Sequence, residues 1–209
     1  MLKQELTKNS WKLYIERNDA VTDNGFEPDK IADFSGKTCY DAELPSCLEK
    51  ILFENNAIDD PCYSDNVFAL RKYESYHQWY FTVFDADSDK CDITFDGVDT
   101  IADIIVNGKR VGHCDNMFVS HAFTLSDLKK KGNELIVHIY PACIAARDAY
   151  IPAMSYAMAY EYPSLAIRKS ASSFGWDILP RFVCGGITRE VTLVKHKEEK
   201  FNELYLYTA

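Results

Sequence analysis

The 209-residue sequence contains no apolar run of 18 residues, so it predicts no transmembrane helix. The first residues, Met1 to Lys8, lack an apolar stretch, and no secretory signal peptide is predicted. Basic residues are few compared with acidic ones, with 23 Lys and Arg against 32 Asp and Glu and a formal net charge of −9. A negative surface repels phosphate backbones and anionic lipid headgroups, so we expect neither nucleic acid nor a membrane as a partner.

Motifs of catalytic and cofactor sites are also missing. No glycine-rich phosphate loop follows a strand pattern, and no serine or cysteine stands in a G-x-S-x-G context. The histidines have no i, i+4 metal spacing, and His121 and His138 fall within strand patterns that predict structural roles. No acidic pair is placed as glycoside hydrolysis requires, since Asn133-Glu134 is typical of a turn before a strand. The sequence predicts no cofactor and no catalytic residue in this chain.

The chain contains cysteines, but their spacing predicts no pairs. No C-x-x-C motif occurs among the seven, which are Cys39, Cys47, Cys62, Cys91, Cys114, Cys143 and Cys184. An odd number of widely spaced cysteines predicts reduced, mostly buried thiols. Reduced thiols favour a reducing compartment, so we expect a cytoplasmic protein.

Asp85, Asp87 and Asp89 resemble the beginning of a calcium-binding loop. Lys90 stands where such a loop needs glycine, and Asp96 stands where it needs a bidentate glutamate. This segment therefore predicts a solvated hairpin loop, and the sequence does not decide whether a structural cation binds elsewhere.

One helix is predicted, near residue 50. Ser46 and Glu49 have the spacing of a capping box, in which each side chain bonds to the other residue's backbone amide. An apolar stripe follows at helical spacing, made by Leu48, Ile51 and Leu52. Asn55-Asn56 is predicted to end the helix.

From residue 79 onward the hydrophobic period changes to two, which indicates strands. Strands are predicted at Trp79–Phe84, Cys91–Phe95, Ala102–Val106, Asp115–Leu125, Leu135–Ile139 and Ile187–Val194. Asn107-Gly108 suits a type I′ turn, so Lys109 is predicted to begin a return strand. Ser126–Lys129 is predicted to form one helical turn. Together these elements predict an all-β antiparallel sandwich or jelly roll with one short early helix.

Residues 140–163 differ from the rest of the chain because they lack alternation and carry few charges. Their large side chains are Tyr150, Met154, Tyr156, Met158, Tyr160 and Tyr162. Such a segment either folds over the sandwich as a satellite core or docks against another domain. Residues 201–208 alternate again and predict a strand close to a domain boundary. We expect a single domain over residues 1–209 with its core at about 10–195.

Residues 168–181 combine cations, aromatic rings and a carboxylate in an irregular stretch. Trp176 has the chemistry to stack on the apolar face of a pyranose, and Asp177 the chemistry to bind adjacent hydroxyls. Alternatively, Trp176 is buried and Asp177 forms a salt bridge with Arg168 or Arg181. The residues alone leave both interpretations open.

Several motifs occur in a recognisable order, namely Leu44-Pro45 to Asp60-Pro61, Trp79-Tyr80, Phe95 to Gly112, Asn116-Met117-Phe118, Gly132 to Leu135, and Arg168 through Phe174-Gly175-Trp176-Asp177 to Arg189. This order, over residues 10 to 195, resembles the N-terminal sugar-binding, galactose-binding-like jelly roll of glycoside hydrolase family 2. The later motifs are most similar to the β-mannosidase branch. The resemblance implies a parent enzyme that hydrolyses terminal β-linked sugars with retention.

The resemblance also implies roles for particular residues. Asp177, with Trp176 and Arg168 in support, is expected to reach into the active site of a following barrel and bind the hydroxyls of a β-mannoside-like sugar. The catalytic glutamates of the family belong to that barrel, so this chain alone is expected to be inactive. Residues 196–209 are expected to lead to an immunoglobulin-like domain.

The family usually has Trp-Gly after the aspartate, whereas Ile178-Leu179 stand here. The motif therefore does not decide between mannose and another sugar. A free-standing carbohydrate-binding module and a sandwich that binds only protein partners are the alternative functions.

Overall fold

The alternating segments of the sequence form antiparallel strands. The computed structural model describes residues 3–147, 149–152, 154–155, 162–197 and 205–208. Twelve strands occur in these ranges: β1 Gln4–Glu5, β2 Trp11–Arg17, β3 Tyr40–Ala42, β4 Tyr76–Phe84, β5 Cys91–Phe95, β6 Val98–Asp99, β7 Ala102–Val106, β8 Lys109–Cys114, β9 His121–Leu125, β10 Asn133–Ile139, β11 Gly186–Ile187 and β12 Val191–Lys195.

Two larger sheets and one small one contain these strands. The six-stranded sheet has the order β3-β2-β4-β10-β7-β8, and the four-stranded sheet has the order β1-β12-β5-β9. Strands β11 and β6 pair separately. The predicted all-β antiparallel architecture is confirmed.

The main hydrophobic core lies between the two larger sheets. Ile93 and Leu193 from the four-stranded sheet and Leu13, Tyr80 and Val137 from the six-stranded sheet belong to one buried cluster. Each strand buries alternate residues on this face, as the period of two requires.

The central strand β4 does not alternate because both of its faces are covered. Tyr80 faces the main core, whereas Trp79 and Phe81 belong to a second buried cluster on the other side of the sheet. Phe34 covers that side and stacks on Phe81 with ring centroids 4.6 Å apart. A strand buried on both faces has an almost continuous apolar sequence, which explains the aromatic run at 79–84.

The prediction of a single helix was wrong. The described residues contain α1 Asn18–Asn24, α2 Leu48–Glu54 and α3 Ala142–Ala145, and 3-10 helices at Leu6–Lys8, Ile31–Phe34, Asn66–Ser75, Tyr162–Leu165 and Ala171–Phe174. Only α2 has an apolar stripe of its own. Helix α1 buries a single residue, Val21, so its sequence shows no helical period.

The predicted capping box of α2 was also wrong. The N-cap residue is Cys47, and no side chain caps the helix. The backbone amide of Ser46 donates to the carbonyl of Ile187 at 2.8 Å, and the Glu49 carboxylate accepts from the amide of Cys184 at 3.1 Å. Both predicted capping residues therefore hold a distant segment, because the strand next to the helix offers them partners.

The Asn107-Gly108 turn between β7 and β8 is confirmed. Both residues have positive φ, 50° and 77°, as a type I′ turn requires. Asn107 also cross-links the turn, since its side-chain oxygen accepts from the Glu134 amide at 3.0 Å.

Three predictions about loops were wrong or too long. The segment after β4 is not a hairpin loop, because β4 already pairs on both edges and the chain crosses to β5 in the other sheet. Residues 126–129 form no helical turn, since Asp127 has a φ of 58° and the Leu128 amide donates to the Asp89 carbonyl. The strand predicted at 115–125 is shorter, and only its second half, β9, is extended in the sheet.

Several predictions fall partly on residues that lie outside the described ranges. Of the Tyr-rich segment, residues 148, 153 and 156–161 are outside them, and so are residues 198–204 of the predicted final strand. Residues 205–208 are exposed and belong to no described strand. Among described helices, none has the length and apolar character needed to cross a membrane.

Two histidines form a neutral pair on the outer face of the six-stranded sheet. Nδ1 of His77 lies 2.8 Å from Nε2 of His138, and Nε2 of His77 lies 3.0 Å from the side-chain oxygen of Asn18. The His138 ring stacks on Trp79 at 4.5 Å. Burial lowers the pKa of His77 to about 4 and that of His138 to about 3.

This pair should make the fold acid-sensitive. Unfolded histidine has a pKa near 6.5, so the unfolded chain binds more protons below pH 6.5 and stability falls as pH decreases towards the folded values. Between pH 7 and 5 we expect a loss on the order of 2 kcal/mol per histidine in the free energy of unfolding.

Urea denaturation of wild type and His138→Gln at both pH values would measure this loss. The variant should lose about half of the pH-dependent difference, because one titrating group is removed. His121→Gln is the matched control, since His121 lies in a strand and, among the described residues, its side chain bonds a single backbone carbonyl, that of Asn116. An unchanged difference in His138→Gln would contradict the prediction.

Candidate functional site

Two of the three residues predicted to bind sugar, Trp176 and Asp177, lie on a short hairpin. The amide of Trp176 donates to the Leu179 carbonyl and the amide of Leu179 donates to the Trp176 carbonyl, both at 3.1 Å. Asp177 and Ile178 occupy the tip, and 68% of Trp176 and 87% of Ile178 are exposed. We call residues 175–180 the Trp-Asp hairpin.

The alternative of a buried tryptophan and a salt-bridged aspartate was wrong. Asp177 is exposed and has no hydrogen bond or ion pair with any residue in the described ranges. Arg181 instead pairs with Glu74, and Arg168 lies 3.8 Å from Asp115. The structure thus brings Trp176 and Asp177 together at the hairpin tip.

Arg168 lies on the chain leading to the hairpin and not at its tip. Its carbonyl accepts from the Met117 amide at 3.1 Å, in a parallel bridge between Asn116 and Arg168. Two-thirds of its side chain is exposed. Its guanidinium therefore remains accessible for a ligand on this side of the molecule.

The base of the hairpin is held by Arg181. Its guanidinium forms a fork with the Glu74 carboxylate, with Nε to Oε1 at 2.6 Å and Nη2 to Oε2 at 2.7 Å. Its Nη1 donates to the carbonyl of Phe174 at 3.0 Å. The amide of Phe182 also donates to the Ser173 carbonyl at 2.9 Å. Residues on both sides of the hairpin are therefore bonded to each other.

Gly175 and Cys143 also lie at the base of the hairpin. Gly175 has a φ of 107°, a conformation that side chains with a Cβ rarely adopt. Cys143 lies beside the ion pair, and its Sγ donates to Glu74 Oε2 at 3.4 Å. Burial and the neighbouring Glu74 raise the pKa of the Cys143 thiol to about 12, so it remains a neutral donor at pH 7.

A second, deeper ion pair holds the chain that enters the hairpin. Nζ of Lys169 lies 2.5 Å from Oδ2 of Asp99, and the two side chains are 1% and 8% exposed. Thr100 donates its hydroxyl to the other oxygen of Asp99. A buried lysine needs such a partner because an isolated charge is costly to desolvate.

Glycine makes room for this pair. Gly185 has a φ of 75°, and a Cβ there would lie 2.3 Å from the Asp99 carbonyl oxygen. The chain leaving the hairpin therefore packs directly on the residue that pairs with Lys169.

A cleft of about 660 Å³ lies on the outer face of the six-stranded sheet. Its lining includes His77, His138, Tyr140, Asp103 and Arg110. These polar groups are already bonded to one another, since Asp103 accepts from Arg110 and Tyr140 and the histidines form a pair. Two further carboxylates, those of Glu27 and Asp29, line the cleft and are exposed.

Apolar side chains are also exposed on segments that adjoin the hairpin base. Phe118 follows Met117, whose amide bonds to Arg168. Tyr162 and Leu165 belong to the 3-10 helix that packs against the helix at Ala171–Phe174. Exposed apolar groups gathered on one side of a domain are typical of a contact surface.

Sequence reasoning singled out the residues of the hairpin tip but missed the residues that support it. Glu74, Lys169 and Asp99 received no role, and Glu49 was assigned to a cap. The one signal available in the sequence was Lys169, which lies beside a buried segment. A lysine in such a place indicates a partner of opposite charge, because charged residues are buried almost only when they are paired. No group of three or more His, Cys, Asp and Glu that could hold a metal ion occurs among the described residues.

Comparison with known sequences finds one protein family and several beta-mannosidases that are similar to this chain. The sequence profile of the glycosyl hydrolase 2 galactose-binding domain-like family matches residues 26–189. The beta-mannosidase of Capra hircus is 29% identical over 178 residues, which cover 78% of this chain and 20% of the relative. Beta-mannosidase B of Thermothelomyces thermophilus is 29% identical over 186 residues, 80% of this chain and 20% of the relative.

A solved structure agrees with these sequences. The beta-D-mannosidase of Dictyoglomus thermophilum superposes with a TM-score of 0.76 and 26% identity, over 93% of this chain and 23% of that chain. The chain thus spans about a fifth of the length of the curated relatives it matches.

Proposed function

The chain belongs to the glycosyl hydrolase 2 galactose-binding domain-like family, and from this premise we propose that it is the accessory sugar-binding domain of a β-mannosidase-like glycoside hydrolase. In this proposal the Trp-Asp hairpin completes a substrate site whose catalytic groups belong to another domain of the same enzyme. The parent enzyme hydrolyses terminal β-linked sugar residues.

The observation that carries the proposal is the state of Asp177. Its carboxylate is exposed, unpaired within the described residues and adjacent to an exposed tryptophan, although the chain leading to it is fixed by a buried ion pair. A rigid base with a chemically unsatisfied tip suits a group that binds a ligand from outside this domain.

The chemistry of the tip suits a sugar. A carboxylate accepts charge-assisted hydrogen bonds from two adjacent hydroxyls, and an indole packs against the C–H face of a pyranose ring. Neither residue transfers a proton to the glycosidic bond in this proposal. Their contribution is to orient the sugar and exclude water while the acid and nucleophile of the barrel act.

The remaining domains of the enzyme are the proposed partner for the surface around the hairpin. Covering Ile178, Leu165 and Phe118 would remove apolar area from water, at about 25 cal/mol per Å². The same contact would bring the hairpin tip to the sugar. Tyr150, Met154 and Tyr162 of the Tyr-rich segment are exposed as well, which supports the docking interpretation for its described part.

Comparing this chain with the full-length protein tests the proposal. We expect no hydrolysis of a nitrophenyl β-mannoside by purified residues 1–209, because both catalytic carboxylates are elsewhere. The full-length protein should hydrolyse it, and release of nitrophenol would measure both. Turnover by residues 1–209 that survives repurification would contradict the proposal.

Sugar titration separates this proposal from a free-standing binding module. The hairpin tip alone is expected to bind mannosides or manno-oligosaccharides more weakly than about 1 mM, which corresponds to about −4 kcal/mol. Saturable calorimetric binding that is tighter would favour the module, for which the outer-face cleft is the best site. A protein-binding sandwich would give no response to sugar in either the chain or the full-length protein.

A further inference from the structure

We propose that Arg181 is a positioning residue that fixes the direction of the Trp-Asp hairpin through Glu74. This inference rests on the proposed function of the hairpin and adds the residues that hold it in place. None of these residues touches the sugar.

Arg181 closes the base of the hairpin. Arg181 bonds the carbonyl of Phe174 at 3.0 Å, so one guanidinium joins the two chain segments that flank residues 175–180. The guanidinium also lies over the Phe174 ring, 5.3 Å from its centroid, and that ring is fully buried. Both ends of the hairpin are therefore held by the same guanidinium group.

Glu74 attaches that base to the sandwich. Glu74 lies at the end of the 3-10 helix Asn66–Ser75, directly before β4. Its two oxygens accept from Nε and Nη2 of Arg181, and one also accepts from Cys143 of α3. The fork resists rotation of the guanidinium, which a single hydrogen bond would allow.

Within the described part of the chain, the tip has no such anchor. Asp177, Ile178 and Leu179 are exposed, and the two backbone hydrogen bonds between Trp176 and Leu179 hold the tip to itself and not to the sandwich. The orientation of the tip consequently depends on its base. Loss of the fork should leave the sandwich folded while the hairpin samples more directions.

Trp176 offers a direct measurement of this mobility. It is the only exposed tryptophan of three, since Trp11 and Trp79 are 1% and 0% exposed. In the full chain, the ¹⁵N relaxation of the Trp176 indole should show a lower order parameter in Arg181→Gln than in wild type. The indoles of Trp11 and Trp79 should keep their values.

Two further variants make the test specific. Glu74→Gln keeps the size of the side chain but removes its charge, so it should increase Trp176 mobility less than Arg181→Gln does. It also keeps the test open if Arg181→Gln fails to fold. Arg147→Gln is the matched control, because Arg147 is an exposed arginine just beyond α3.

The consequence for the enzyme is measured separately. In the full-length protein, Arg181→Gln should lower kcat/KM by about 10- to 100-fold, since a displacement of about 1 Å has effects of this size. Arg181→Lys should recover only part of it, because lysine cannot form the fork. The loss should appear in kcat as well as in KM, whereas simple destabilisation would reduce only the amount of active enzyme.

Two outcomes would overturn the inference. One is an unchanged Trp176 order parameter in both Arg181→Gln and Glu74→Gln. The other is increased mobility with wild-type kcat/KM, in a protein where Asp177→Ala does reduce kcat/KM. If Asp177→Ala itself has no effect, the proposed function fails, and the relaxation measurement still decides whether Arg181 holds the hairpin.

Discussion

Replacing Asp177 with alanine in the full-length protein is expected to lower kcat/KM for a nitrophenyl β-mannoside by about 10²- to 10³-fold. Hydrogen bonds to a charged group contribute about 1.5–3 kcal/mol each. Removing a carboxylate that binds two adjacent hydroxyls should therefore cost about 3–4 kcal/mol of transition-state stabilisation. Each 1.36 kcal/mol corresponds to about a tenfold change in rate. Steady-state kinetics at constant enzyme concentration measure the effect.

The same variant should leave stability unchanged. Asp177 is exposed and forms no bond within the described residues, so its removal should change the free energy of unfolding by less than about 0.5 kcal/mol. Urea denaturation of residues 1–209 would measure this value. A functional loss without a stability loss distinguishes a substrate-binding residue from a structural one.

Asp23→Ala is the matched control for Asp177→Ala. Asp23 is also an exposed aspartate without a bond in the described residues, but it lies on α1, away from the hairpin. It should retain wild-type kinetics. A wild-type kcat/KM for Asp177→Ala as well would mean that the carboxylate does not contact the sugar in the transition state.

Replacing Lys169 with methionine should have the largest effect on stability, a loss of about 3–5 kcal/mol in the free energy of unfolding. Methionine fills a similar volume but leaves the Asp99 carboxylate buried without its cation. Thr100 would still donate one hydrogen bond to Asp99, which cannot compensate a full charge. Urea denaturation at pH 7 measures the loss.

A double variant separates loss of the pair from loss of packing. Lys169→Met with Asp99→Asn removes both charges, so it should be more stable than Lys169→Met alone. Lys131→Met is the control, because Lys131 is exposed and should lose less than about 0.5 kcal/mol. Equal stabilities of the single and double variants would show that the buried charge is not the cause.

Part of the site was predictable because its chemistry is local. Trp176 and Asp177 are neighbours in sequence, and an aromatic ring beside a carboxylate in an irregular stretch is a candidate for sugar binding. The choice between an exposed and a salt-bridged Asp177 was not predictable. It depends on whether Arg181 lies nearer to Asp177 or to Glu74, and Glu74 is 107 residues away in sequence.

The helices also divide into those that a local pattern predicts and those that depend on tertiary contacts. Helix α2 was predicted because its buried residues repeat at helical spacing, whereas α1 buries only Val21 and leaves no period to detect. The supposed capping residues of α2 were misassigned for a tertiary reason. Glu49 had the right spacing for a cap, but the Cys184 amide, brought beside it by the fold, is a better partner in a buried site.

The sequence by itself determined most of the strands after residue 79 and the turn at Asn107-Gly108, because alternation and turn chemistry act between residues close together in the chain. The order of its motifs indicated the family. Only the tertiary structure decided how the Trp-Asp hairpin is held. Its supports join residues 70 and 107 positions apart, in the pairs Lys169–Asp99 and Arg181–Glu74. Such pairs form when the folded sheets bring distant segments together in a space without water, and no local pattern encodes them.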